Sequence, residues 1–132
     1  MISKDFIYAG NSTFTVENGK GEHFTYKVVK KEFSDKTFYF ANVLSHGYEE
    51  YSYMGILTTD GKFIQGKKGI SPESKSVKVL TWAIQVVKGE RTLPEGYAIH
   101  HEGRCGRCGR KLTDPESIKT GFGSYCRDKV GV

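Results

Sequence analysis

The chain has 132 residues, 37% of them hydrophobic and 13% aromatic, and carries a net charge of +5. That is enough apolar matter for one ordinary domain with a small appendage, and it excludes wholesale disorder. No apolar run approaches the roughly 20 residues that span a bilayer, and MISKDFIYAG has neither the apolar stretch nor the cleavage site of a secretory signal. A soluble, cytoplasmic protein with no membrane partner is expected.

The first two-thirds read as β-rich. Ser12–Glu17 alternates, with Phe14 and Val16 on one face, and His23–Lys30 does the same with Phe24, Tyr26 and Val28. The glycines of ENGKGE between them signal a hairpin. A third strand, Thr37–Val43, turns Phe38, Phe40 and Asn42 one way and Tyr39, Ala41 and Val43 the other. Tyr51–Leu57 and Lys62–Gln65 flank a second hairpin, with Asp60-Gly61 supplying the positive φ angles of its turn. Five strands in meander order follow from this.

The period then changes. Ser74–Lys88 places Val77, Leu80, Ala83, Ile84 and Val87 on one stripe at helical spacing. Ser74 or Ser76 offers a cap, and Gly89 a stop. This helix is expected to cover one face of the sheet. Trp82 lies off the stripe and reads as a core residue from the wide side of the helix, the other reading being a binding aromatic. Gly89–Gly96 is a turn-rich connector. It divides a β-rich domain, residues 1–96, from a C-terminal module, residues 97–132.

All three cysteines fall in that module, and three cannot pair off as disulfides. Cys105-Gly106-Arg107-Cys108-Gly109 has the composition of a zinc knuckle. Two thiolates two residues apart can reach one tetrahedral ion, and the glycine after the second lets backbone amides turn toward the sulfurs. Cys126 follows at a spacing common between the halves of a zinc site. A short helix over Tyr125–Val130, capped by Ser124, would place Cys126 in its first turn, where the helix dipole favours a thiolate. Knuckle first and last ligand at a helix start is the layout of a treble-clef finger around one structural Zn2+.

A fourth ligand is needed, and position 129 is lysine where a fourth cysteine would be usual. His101 is the first choice and His100 the second, with His23 and His46 behind them and water or Asp128 as further options. Leu112–Ile118 reads as a helix start, with Asp114 as cap and Pro115 at the first helical position. Gly121-Phe122-Gly123 then turns the chain back toward the metal.

The segment from His101 to Cys126, centred on CGRCGRKLTDPESIKTGFGSYC, resembles a small zinc-binding domain of unknown function found in bacteriophage and bacterial proteins, with the pattern CxxCGRxLTxPxSIxxGxGxxC. Cys105, Cys108, Gly109, Arg110, Leu112, Thr113, Pro115, Ser117, Ile118, Gly121, Gly123 and Cys126 meet it. Ser124 departs, since proline is common there. SVKVLTWAI and LPEGYAIHHEGRC are also similar to related sequences, which extends the resemblance back to about residue 70. It implies a phage or prophage origin and a metal site, and no established activity.

Two functions from different classes are expected. Arg104, Arg107, Arg110, Lys111, Lys119, Arg127 and Lys129 surround the metal site, and residues 100–132 carry seven Lys+Arg against four Asp+Glu. Such a module can contact nucleic-acid phosphates, and Tyr8, Tyr26, Tyr39, Tyr48, Tyr51 and Tyr53 offer rings that stack on bases, although most are expected to pack the sheet. The alternative is a small phage-encoded inhibitor of a host defence or nucleic-acid-processing protein, with His46–Tyr53 as its contact patch. Catalysis ranks last. Glu102 and Glu116 sit in no catalytic motif, and none of the four histidines has a partner at a telling spacing.

Overall fold

The computed structural model describes residues 1–44 and 50–131. His46 and Tyr48 therefore lie outside the described residues, as does the first part of the His46–Tyr53 patch. The chain is α+β. Its strands are β1 (Asn11–Glu17), β2 (His23–Phe33), β3 (Lys36–Leu44), β4 (Tyr51–Leu57), β5 (Phe63–Gln65) and β6 (Ala98–His101). They form one antiparallel sheet in the order β5-β4-β3-β2-β1-β6. The first five make the expected meander. The sixth returns from the C-terminal segment to pair with β1, Phe14 opposite His101 and Val16 opposite Ile99.

Helix α1 (Lys4–Ile7) had no periodic signal, being a single turn that Ser3 caps through Phe6 N–H at 3.1 Å. Helix α2 (Lys75–Val87) is one residue shorter at each end than its pattern suggests. Ser74 occupies the cap position but gives its hydroxyl to Ser71 O instead. The buried stripe is Val77, Leu80, Ala83, Ile84 and Val86. Val86 is buried where Val87 was expected, and Val87 is half-buried.

Strand parity decides what meets this helix. Tyr26, Val28, Ala41, Val43, Met54 and Leu57 are buried on the helix side of the sheet. Tyr26 is wholly enclosed, donates to Ser76 O at 2.7 Å, and has its hydroxyl pushed well above the usual phenol range by burial. Phe38 and Phe40 take the opposite face, as the alternation of β3 requires. In the turn before β5 only Gly61 adopts a positive φ, +90°, and its Cβ position lies 3.0 Å from Ile84. Trp82 is half-buried and meets Tyr97 edge-on, ring centroids 5.5 Å apart.

The C-terminal segment adds α3 (Pro115–Thr120) and α4 (Ser124–Val130). Asp114 caps α3 by accepting Ser117 N–H at 3.1 Å, with Pro115 in the first turn. Gly123, not Ser124, holds the cap position of α4, and Ser124 is the first helical residue. No helix among the described residues is long and apolar enough to cross a membrane.

Candidate metal centre

Backbone hydrogen bonds shape the knuckle before its thiols enter. Cys105 N–H donates to Arg110 O at 2.8 Å and Gly109 N–H to Cys105 O at 2.9 Å, closing a tight turn with Gly109 at φ +78°. Arg104 and Lys111 pair across its base. Gly106 lies under Phe6: a methyl group there would come within 2.6 Å of the ring, so only glycine fits. Gly106 also accepts Asn11 N–H and donates to Gly121 O, each at 2.9 Å, which ties the knuckle to β1 and to the turn before α4. Phe6 continues into Phe122 and His101, ring centroids 5.8 Å away in both cases.

This scaffold brings together Cys105, Cys108 and Cys126, whose sulfurs all lie within 4.8 Å of one another. Tetrahedral zinc with Zn–S bonds of about 2.3 Å holds its sulfurs about 3.8 Å apart, so the spacing suits one ion. Cys105 and Cys126 are buried and Cys108 is exposed. Burial raises the Cys105 thiol. The N–H groups of Cys108, Gly123 and Arg107 and the Cys108 side chain outweigh it, bringing Cys105 down to about 7. Burial and the two neighbouring thiols push Cys126 up, against the pull of Arg107. Three clustered thiols, one of them served by backbone amides, form a donor set compatible with a metal.

The expected fourth ligand is not there. His101 Nδ1 accepts Gly103 N–H at 2.9 Å, which leaves the proton on Nε2 to be donated to Ile118 O at 2.5 Å. Both ring nitrogens are thus spent on backbone, and neither joins the thiols. His100 points elsewhere, its Nε2 3.6 Å from Glu17, and His23 lies exposed at the start of β2. Among the described residues no histidine, aspartate or glutamate, Asp128 included, completes the cluster. Three ligands leave the fourth position open.

The basic residues divide. Arg107 donates to Cys126 Sγ at 3.5 Å and lies 6.0 Å from the Tyr125 ring, so it belongs to the thiol site itself. Arg110 and Lys111 are exposed and line a cavity of about 520 Å³ beside Cys108, Cys126 and Tyr125. Arg104 is exposed and donates to Gly109 O, Lys119 is exposed at the end of α3, and Arg127 is half-buried. Sequence reasoning missed Tyr125, which is 69% exposed and has Lys129 5.4 Å over its ring. Its place beside Cys126 in the first turn of α4 was the available signal.

Residues 99–131 match a family of unknown function, DUF6011. The DUF6011 segment runs from β6 to the end of α4 and so contains all three thiols and both short helices. Neither the curated proteins nor the solved structures give a match to the chain.

Proposed function

We propose that this is a phage-type, zinc-containing binding protein whose basic metal module contacts nucleic acid. The zinc is structural and sits in a treble-clef-like frame of knuckle, turn and helix. Cys105, Cys108 and Cys126 hold it, and the fourth position is taken by water or by a donor from outside the described residues. What supports the phosphate-binding reading is the exposed rim of Arg110 and Lys111 beside the thiols, together with Tyr125 flanked by two cations. Cations position phosphates and an exposed ring stacks on a base.

The test is binding of the metal-loaded protein to short labelled DNA and RNA across a salt series. Affinity is expected to fall as salt rises. The slope should flatten by about one to two phosphate contacts in R110Q/K111Q, with the metal retained. Absence of binding at low salt in the wild type would remove this reading and leave the host-protein inhibitor to be tested by direct association.

A further inference from the structure

The strand register places a second set of aromatics and cations on the face of the sheet that α2 does not cover. Across the β2–β3 pair, Phe33 stands opposite Lys36, Lys31 opposite Phe38, Val29 opposite Phe40 and Lys27 opposite Asn42. These positions share one parity and therefore one face. The rings form a continuous ladder: Phe33 to Phe38 at 5.9 Å, Phe38 to Phe40 at 6.2 Å and Phe40 to Tyr53 at 5.9 Å. Phe33 is 53% exposed. At about 3.3 Å per residue, the ladder from Phe33 to Lys27 runs for about 20 Å.

An apolar ladder alone would suit any covering surface. The cations decide the chemistry. Lys31 and Lys36 alternate with the phenylalanines, and Lys27 lies 5.5 Å over the Tyr51 ring. Lys27 and Tyr51 also line a cavity of about 470 Å³ that reaches Arg104 of the metal module, so the track joins the module's basic rim. One carboxylate, Glu102, also lines that cavity, and it is engaged by the Thr15 hydroxyl. Rings spaced along a sheet face with lysines between them match a polymer that presents flat bases on one side and phosphates on the other. A duplex keeps its bases stacked inside and cannot use the rings.

We propose that this open sheet face is a platform for single-stranded nucleic acid, on which Phe33, Phe38 and Phe40 stack bases while Lys27, Lys31 and Lys36 meet phosphates. The proposal rests on the nucleic-acid reading above and adds both the surface and the strandedness.

The experiment uses the full metal-loaded chain and a fluorescent oligodeoxythymidine of about 12 nucleotides, within the roughly 4–16 that comparable surfaces cover. The oligomer is expected to bind more tightly than a duplex of equal length. F33A/F38A should weaken it at least tenfold with little change of salt slope, whereas K27Q/K31Q should flatten the slope by one to two contacts. Circular dichroism and sedimentation of each variant accompany the titrations. Unchanged affinity in folded F33A/F38A, with loss in R110Q/K111Q, would overturn the platform and leave the module reading standing. Preference for the duplex would overturn it too, as would a wild-type dimer that F33A/F38A dissolves. No binding of any nucleic acid would end both readings.

Discussion

His101 shows how a residue can have the right type and place and still serve another purpose. It ends β6 four residues before the knuckle, but its imidazole bridges Gly103 N–H and Ile118 O. A ligand role would require giving up at least one of the two bonds. H101Q is therefore expected to retain one equivalent of metal while losing about 1–2 kcal/mol of stability with those bonds. Metal analysis after gel filtration, paired with a denaturant melt, checks both halves. C105S/C126S, in contrast, should hold no metal, because a single remaining thiol cannot retain the ion. The three cysteines were legible because thiol spacing is a covalent constraint written in the chain. The backbone bridge made by His101 could not be read, because a histidine's hydrogen-bond partners come from the fold, here from a residue 17 positions away.

Among the elements, those that alternate or repeat strongly were readable. The five strands of the meander follow from period two, and α2 follows from its stripe. What the pattern could not convey was the pairing of β6 with β1, which joins residues more than 80 positions apart. Nor could it reveal α1, a single turn too short to have a period. Helix α2 carries the centre of the core, with Leu80 wholly buried. L80A is expected to cost about 2–5 kcal/mol, seen as a lower denaturant midpoint at unchanged slope. Metal content should not change, since the helix supplies no residue to the thiol cluster.

For the whole molecule, the phenols set an alkaline limit. Tyr8 donates to Thr58 O at 2.6 Å and is pushed up to about 12, chiefly by burial and then by Asp60 and Tyr39. A group raised in the folded state favours its protonated form there. The stabilisation from Tyr8 is thus complete below its ordinary value near 10 and is lost as pH climbs from 10 toward 12. Y8F should be less sensitive than the wild type over that window, read as the shift of the melting midpoint with pH. The fold that holds this phenol also couples its two halves. Phe6 near the N-terminus lies beneath Gly106 and Gly121, so removing an ion held by the thiols would loosen α1 as well as the knuckle.

That shared packing turns the protein into a gauge of its surroundings. Since β6 is both an edge of the sheet and the strand that leads into the knuckle, the folded sheet and an ion held by the thiols would belong to one equilibrium. A ligand that binds only the folded state stabilises it in proportion to the logarithm of its free concentration. Each tenfold change in buffered metal above the dissociation constant should therefore move global stability by about 1.4 kcal/mol. Melting midpoints recorded in a series of metal buffers should climb in even steps, and the melt of the sheet would report how much free ion the solution holds.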